Sequence, residues 1–230
     1  MEAKESKKTY QIVIIRHGES LWNKENRFTG WHDVPLTEDG RKEARHAGRL
    51  LKEKGYRFDK CYTSVLTRAI HTLDIVLDEM GCAYLPVVKK WRLNERMYGG
   101  LTGMNKSECR EQYGEDQVLL WRRSVNTAPP ECELDSEYYP GNDSRYALVP
   151  KELLPRTEDL INCIDRVLPC WFDNICPDII SGKKLIISIH GNSIRALVKH
   201  LEGLTSEGIL SLLRNHQSRD TKWCSFGLYS

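Results

Sequence analysis

In two stretches of the sequence, a run of aliphatic residues is followed by a histidine and a glycine. The segment IVIIRHG (residues 12–18) ends in arginine, histidine and glycine, and LIISIHG (residues 185–191) ends in histidine and glycine. The aliphatic part of each segment is typical of a buried strand. Because open α/β sheets bind ligands at the carboxyl ends of their strands, we expect His17 and His190 to face one pocket.

Strand and helix patterns alternate along the rest of the chain. Further strands are predicted in residues 58–64 and 85–91, and helices are predicted from the N-cap Thr37 to Gly55, from Leu66 to Gly81, over 160–171 and over 193–201. Pro169 is expected to bend the helix over 160–171. This alternation predicts an α/β fold with a mainly parallel central sheet and helices on both faces.

One region departs from the alternation. Residues 92–150 are polar and contain the breakers TAPPE and YPGNDS. They are predicted to form an insertion, partly helical near 105–124, that folds over the C-terminal ends of the strands. The prediction for the whole chain is a disordered tail over 1–9 followed by one domain over 10–230.

Composition narrows the classes of function. The 230 residues carry a formal net charge of +2, which argues against a general nucleic-acid or membrane surface. No apolar run approaches the ~20 residues of a membrane span, and the polar start lacks the apolar core of a secretory signal. The eight cysteines are scattered, without zinc-type spacing. They are therefore expected to be reduced thiols of a cytoplasmic protein that has no metal site.

Several arginines stand where a phosphate could be bound. Arg68 begins the predicted helix after a strand, and Arg122 and Arg123 lie together in the insertion. Arginine binds phosphate through paired, charge-assisted hydrogen bonds. With two histidines in such a site, one could attack phosphorus as the neutral imidazole, while the other stabilises charge on the phosphoryl oxygens.

Each of these features also has a simpler explanation. An isolated His–Gly pair is usually a turn, and Arg68 alone could be a solvated helix residue. Glu95 could be a general acid/base near the top of the sheet, or an exposed partner of Arg92 or Arg96. Two His–Gly pairs after aliphatic strands, one preceded by arginine, favour the phosphate site.

The motifs together closely resemble those of a known family. They are similar to segments of the cofactor-dependent phosphoglycerate mutases, which are part of the histidine phosphatase superfamily. The matching segments are RHGES, WNKENRFTGW, TSVLTRAI, WRLNER, LWRRS and HGNS. The resemblance extends from about residue 10 to 203. RHG is typical of the superfamily, whereas RFTGW, RLNER and LWRRS are typical of the mutase branch.

The resemblance implies a role for each matching residue. His17 would be the phosphorylated nucleophile, and Glu95 would be the acid/base that serves the substrate hydroxyl. The groups implied to hold the transferring phosphoryl group are Arg16, Arg68, His190 and Asn23, with Asn192 nearby. The groups implied to contact the rest of the substrate are Thr29, Gly30, Tyr98, Lys106, Arg122 and Arg123.

The implied reaction is the glycolytic interconversion of 3-phosphoglycerate and 2-phosphoglycerate, primed by 2,3-bisphosphoglycerate and without a metal. The resemblance also implies slow synthesis or hydrolysis of the bisphosphate, and a homodimer or homotetramer. Ser20 and Thr29 favour the mutase over the branch specialised for bisphosphate synthesis. The alternatives are a phosphatase on the same fold and a non-catalytic paralogue.

Two departures from the family pattern carry further expectations. Met97 stands where the family usually has histidine, and methionine cannot hydrogen-bond a phosphate. Residues 211–230 show no proline turn and no clear alternating strand. We therefore expect the chain to lack an edge strand and part of the pocket lid, which would lower its stability, favour association through the open edge and favour hydrolysis over transfer.

Overall fold

A five-stranded sheet forms the centre of the protein, seen in a computed structural model that describes residues 9–205 and 208 and the backbone of 223–229. The strand order is β3–β2–β4–β1–β5. The strands are β1 (Thr9–Arg16), β2 (Lys60–Thr63), β3 (Val87–Lys89), β4 (Leu185–Ile189) and β5 (Trp223–Tyr229). The first four run parallel, and β5 is antiparallel to β1. The predicted mainly parallel α/β sheet is confirmed.

Helices cover both faces of this sheet. They are α1 (Leu21–Lys24), α2 (Glu38–Glu53), α3 (Thr67–Met80), α4 (Lys106–Tyr113), α5 (Glu115–Arg123), α6 (Leu160–Cys170), α7 (Cys176–Ile180) and α8 (Gly191–Leu201). Alternate residues of β1 face opposite sides. Ile12 and Ile14 pack with residues of α6 and α8, whereas Val13 and Ile15 pack with residues of α2 and α3.

The helix ends follow the predicted signals. The Thr37 hydroxyl caps α2 by accepting a hydrogen bond of 3.0 Å from the Gly40 amide. Gly81 ends α3 in the left-handed conformation, with φ of 72°. The helix containing Pro169 passes after Cys170 into a π-helical turn, Trp171–Ile175, and then into α7. A proline inside a helix removes one backbone hydrogen bond, and here the regular α-helix ends one residue later.

The predicted insertion contains α4 and α5, in the region expected to be helical. It has its own small apolar cluster, made by Phe28, Leu101, Cys109, Val118 and Trp121. This packing fixes the insertion against the segment that follows β1. Basic residues of the insertion therefore lie beside the carboxyl ends of the strands.

The expectation of a missing edge strand is wrong. β5 pairs with β1 from Thr9 opposite Tyr229 to Ile15 opposite Trp223. The segment WCSFGLY is rich in aromatic and other strand-favouring residues, and its pairing satisfies the backbone groups along the outer side of β1. This edge of β1 is therefore not open for association. The expected loss of part of the pocket lid concerns the same C-terminal region, of which residues 211–222 and 230 lie outside the described residues.

The ends of the predicted domain need one adjustment. Residue 9, predicted to be in the disordered tail, is the first residue of β1, and residues 1–8 lie outside the described part of the chain. The cysteines for which the structure describes side chains form no disulfide. Among the described helices, none combines the length and the apolar character needed to cross a membrane.

Candidate active site

The two histidines predicted from the strand ends lie side by side. β1 and β4 are adjacent and parallel, and the His17 amide donates to the Ile189 carbonyl over 3.0 Å. The ring centroids of His17 and His190 are 5.0 Å apart. Only 4% of His17 and none of His190 is exposed. Parallel pairing of the two strands thus brings the two imidazoles to one point above the sheet.

The position of the ring proton of His17 follows from its neighbour. Nδ1 of His17 lies 2.7 Å from the carbonyl oxygen of Gly18. Because a carbonyl oxygen only accepts hydrogen bonds, Nδ1 must carry the proton. In the neutral ring, Nε2 then holds the lone pair. Nε2 is therefore the atom of His17 that can attack phosphorus.

His190 has the complementary arrangement. Its Nε2 lies 2.8 Å from the Ser64 hydroxyl, and that hydroxyl also accepts from the Leu66 amide over 3.1 Å. The Ser64 hydroxyl has one proton to donate and makes no hydrogen bond to another described acceptor, so we assign that proton to Nε2 and the ring proton of His190 to Nδ1. Nδ1 is buried and has no hydrogen-bond partner among the described residues. An unsatisfied buried donor beside His17 fits a phosphoryl oxygen as its missing partner.

The surroundings keep His190 neutral. Burial, followed by the positive charges of Arg68 and the neighbouring groups, lowers the pKa of His190 well below its ordinary value. A neutral imidazole with its proton on Nδ1 can donate one hydrogen bond without adding a charge.

We expect His190→Ala to reduce phosphoryl transfer by a factor on the order of 100 or more, because a preorganised donor is lost. Ser64→Ala should give a smaller loss, because the ring stays in place while its tautomer is no longer fixed. Steady-state turnover of both variants measures this order, and thermal unfolding checks that both have folded. A normal rate for His190→Ala would indicate that His190 has only a structural role at the end of β4.

Arg68 is held by hydrogen bonds close to the two histidines. Its side chain is buried and donates to the carbonyl oxygens of His32 and Gly30 over 2.9 and 2.8 Å. Burial lowers the pKa of Arg68 to about 10. No described carboxylate forms an ion pair with it, although burying an unpaired charge is costly. A bound anion would compensate this charge, and the interpretation as a solvated helix residue is wrong.

Gly18 and Gly191, the glycines that follow the two histidines, serve different purposes. A Cβ atom on Gly18 would lie 2.2 Å from the backbone oxygen of Gly40, so only glycine allows β1 to end against the start of α2. A Cβ atom on Gly191 would meet only Arg16 Nε at 3.8 Å and Glu95 Oε2 at 3.9 Å. Gly191 therefore keeps open a space between a cation and a carboxylate at the start of α8.

Glu95 is the carboxylate of the site. Its Oε1 accepts from the Arg96 amide at 2.9 Å, from the Asn192 amide at 3.1 Å and from Asn192 Nδ2 at 2.9 Å. Burial raises the pKa of Glu95, but these hydrogen bonds and the charges of Arg68 and Arg16 outweigh it, so the pKa lies below its ordinary value. Glu95 is therefore ionised at neutral pH and can accept a proton.

A buried ion pair holds the backbone around Glu95. The Arg166 guanidinium binds the Glu158 carboxylate through two hydrogen bonds of 2.5 and 2.9 Å. The same guanidinium donates to the carbonyl oxygens of Arg92, Asn94 and Glu95. The mainly buried segment 92–95 is thereby fixed to α6.

The first turn of α8 carries two polar side chains that contact the segment around Glu95. His190 is the N-cap of α8 and makes no side-chain capping bond. Ser193 Oγ donates to the Asn94 carbonyl, and Asn192 Nδ2 donates to Glu95 and to Tyr98 Oη. The two side chains therefore connect α8 to the Glu95 segment.

Basic side chains surround Glu95 and the two histidines. They are Arg16, Arg68, Arg96, Lys106, Arg122, Arg123 and Arg195. None of them forms an ion pair with another described residue. Burial, followed by the charges of Arg122 and Arg16, lowers the pKa of Lys106 to about 8. So many cations without an ion-pair partner around one carboxylate, two of them the buried Arg68 and Arg96, make a site for a polyanion.

Of the remaining predicted residues, Thr29 and Gly30 lie beside Tyr98, whereas Asn23 takes part in a helix cap. Gly30, with φ of 55°, packs against the Tyr98 amide, and Thr29 is buried beside it. Asn23 instead uses its Oδ1 in the capping box of α1, where it accepts from Ser20. Only its amide nitrogen is left for the expected phosphate contact. No group of three or more His, Cys, Asp or Glu side chains in the described part could hold a metal ion.

Sequence reasoning missed Ser64, Arg96, Arg166 and Arg195, whose importance depends on contacts between distant segments. It also could not place the side chain of Met97. This side chain is fully buried in a cluster with Trp31 and Tyr146 and does not point into the site. Methionine at this position therefore removes no phosphate ligand.

The fold and the paired histidines define a phosphoryl-transfer site, and sequence comparison agrees. Residues 12–140, more than half of the chain, match the histidine phosphatase superfamily (branch 1). The chain belongs to the histidine phosphatase superfamily, whose members are phosphotransferases and phosphatases.

Solved structures with the same fold include both kinds of enzyme. A mycobacterial glucosyl-3-phosphoglycerate phosphatase has a TM-score of 0.68 at 21% identity, over 89% of this chain and 85% of that chain. A phosphoglycerate mutase from Bacillus anthracis has a TM-score of 0.64 at 24% identity, over 86% of this chain and 82% of that chain. At these identities the likeness establishes the fold and leaves the reaction open.

Proposed function

We propose that the protein interconverts 3-phosphoglycerate and 2-phosphoglycerate through a phosphohistidine at His17. The observation that carries this proposal is the excess of unpaired cations around one ionised carboxylate. Binding of a single phosphate group would need fewer cations than these. Here, Arg122, Arg123 and Lys106 extend the positive region beyond Arg68, which suits a substrate with a second anionic group.

In this mechanism, the substrate hydroxyl attacks phosphorus on His17 Nε2. The new oxygen–phosphorus bond forms as the nitrogen–phosphorus bond breaks, and Glu95 accepts the hydroxyl proton. In the return step, Glu95 gives a proton to the oxygen that leaves phosphorus, and Nε2 takes the phosphoryl group. Arg68 and His190 Nδ1 stabilise the charge on the phosphoryl oxygens throughout.

A phosphorylated glycerate with two phosphate groups fits the same cations and would supply the first phosphoryl group to His17. The unsatisfied Nδ1 of His190 and the unsatisfied Nε of the buried Arg96 are donors that such an anion would engage. We propose 2,3-bisphosphoglycerate as this primer, and a role in glycolysis and gluconeogenesis in the cytoplasm. By resemblance, we also propose a homodimer or homotetramer.

An assay coupled to enolase tests the function directly. With 3-phosphoglycerate as substrate, we expect formation of 2-phosphoglycerate that increases when 2,3-bisphosphoglycerate is added. Inorganic phosphate is measured in the same reaction. Release of phosphate without isomerisation would favour the second candidate, a phosphatase, which the similarity to a phosphatase structure supports. Absence of both products would indicate a non-catalytic paralogue.

We expect Glu95→Gln to reduce mutase turnover more than it reduces phosphorylation of His17. Glutamine keeps the shape of the side chain but cannot accept the proton of an attacking hydroxyl. Turnover is compared with the rate at which labelled 2,3-bisphosphoglycerate phosphorylates the protein. Equal losses in both measurements would contradict the acid/base role.

A further inference from the structure

The Asn192 amide is held from two sides. Its Nδ2 donates to Glu95 Oε1 over 2.9 Å, and its Oδ1 accepts from the Arg195 guanidinium over 2.7 Å. A carboxylate only accepts and a guanidinium only donates, so these two neighbours together allow a single orientation of the amide. A flipped amide would place its oxygen against Glu95 and its NH₂ group against Arg195.

This orientation determines which oxygen of Glu95 is engaged. Oε1 accepts the hydrogen bonds from Asn192 and Arg96, whereas no described residue donates to Oε2. Oε2 lies over Gly191, 3.9 Å from the position of a Cβ atom there. The open space at the start of α8 is thus adjacent to the oxygen that has no partner.

We propose that Arg195 is a positioning residue, which fixes the Asn192 amide and through it Oε1 of Glu95, so that Oε2 is presented to the substrate. Arg195 is on α8 three residues after Asn192, a spacing at which side chains of one helix face each other. This inference rests on the proposed function, in which Glu95 exchanges a proton with the substrate.

Other charged groups also face Glu95, and they are common to all variants considered below. They are Arg16 at the end of β1, Arg68 on α3, Arg96 beside Glu95, and Arg166 and Cys163 on α6. Arg123 is a neighbouring cation that acts on Arg195, and the hydrogen bonds of the Asn192 amide go to Glu95, Tyr98 and Arg195. Arg123 is therefore a suitable control, as a neighbouring cation that does not bind Asn192.

The test titrates the Glu95 carboxyl directly in the resting protein. Glutamate is labelled with ¹³C at the side-chain carboxyl, and the Glu95→Gln variant identifies the Glu95 resonance. Loss of the Arg195 donor weakens the hydrogen bond that stabilises ionised Glu95. Arg195→Met should therefore raise the pKa of Glu95 by up to about one pH unit. Arg195→Lys, which retains a donor and the charge, should recover most of the difference.

A double-variant cycle separates positioning from direct charge attraction. If Arg195 acts through Asn192, then Arg195→Met should change the Glu95 titration little when Asn192→Ala is already present. A full shift in that background, or the same shift in Arg123→Met as in Arg195→Met, would overturn the proposal. Should Arg195→Met not fold, Arg195→Gln takes its place with the same expected direction.

Phosphoryl transfer gives a second measurement. Ionised Glu95 is lost as pH falls through its pKa, so the acidic limb of the transfer rate should move to higher pH in Arg195→Met by the same amount as the titration. A rise in KM without movement of that limb would mean that Arg195 only binds substrate. The carboxyl titration requires no turnover, so a failure of the proposed reaction remains distinguishable from a failure of this inference.

Discussion

His17→Ala should lose the phosphorylated form completely and reduce turnover by about 10⁴-fold or more, as expected when a covalent nucleophile is removed. Incubation with labelled 2,3-bisphosphoglycerate should leave an acid-labile, base-stable phosphate on the natural protein. His46→Ala is the matched control, because His46 is an exposed histidine on α2 away from the site. The control should keep both the label and the turnover.

The structure also specifies the phosphorylated atom. Nδ1 of His17 donates to the Gly18 carbonyl, so the phosphoryl group should be on Nε2. Nitrogen-15 NMR of the phosphorylated ring distinguishes the two positions. Label retained in His17→Ala would contradict the assignment of the nucleophile, whereas phosphate on Nδ1 would contradict only the tautomer.

The parts of the site that follow strand ends could be predicted from the sequence. IVIIRHG and LIISIHG are local patterns, and parallel pairing of their strands is sufficient to bring His17 and His190 together. The same holds for Arg68, which is next to a strand end through the short segment before α3. These positions depend on topology, and topology follows from the alternation of strands and helices.

The supporting residues could not be predicted in this way. Ser64 matters because it contacts a histidine 126 positions later, and Arg166 matters because it reaches carbonyl oxygens more than 70 positions earlier. No local pattern distinguishes these residues from ordinary polar ones. The side chain of Met97 could not be placed for a related reason, since sequence position does not say to which side of an irregular segment a side chain points.

The strand β5 shows a different kind of error. Residues 211–230 lack the proline turn of the family pattern and show no clear alternation, which together predict that the strand is missing. The turn and the strand are physically separate. The backbone groups on the outer side of β1 can pair with any segment that favours the strand conformation. Residues 223–229 are such a segment. The expected loss of stability from a missing strand therefore has no basis in the sheet.

The largest effect on stability should come from the buried pair of Arg166 and Glu158. Their side chains are 5% and 2% exposed, and Glu158 also accepts from the Met97 amide over 2.8 Å. Removing one partner leaves a buried charge uncompensated. We expect Arg166→Met to lower the free energy of unfolding by about 3–5 kcal/mol, measured by equilibrium denaturation in urea.

A surface arginine provides the control for this measurement. Arg156 forms ion pairs with Glu131 and Glu133, but its side chain is 34% exposed and those of its partners 59% and 83%. Arg156→Met should therefore cost no more than about 1 kcal/mol. Equal losses in the two variants would contradict a stabilising role of the buried ion pair between Arg166 and Glu158.

The double variant Arg166→Met, Glu158→Gln tests whether this ion pair also positions the active site. Removing both charges should recover part of the stability lost in Arg166→Met, because no unpaired charge remains. Turnover should not recover with it, because the carbonyl oxygens of Arg92, Asn94 and Glu95 still lack the guanidinium that fixes them. Turnover that returns together with stability would show that Glu95 is positioned without Arg166.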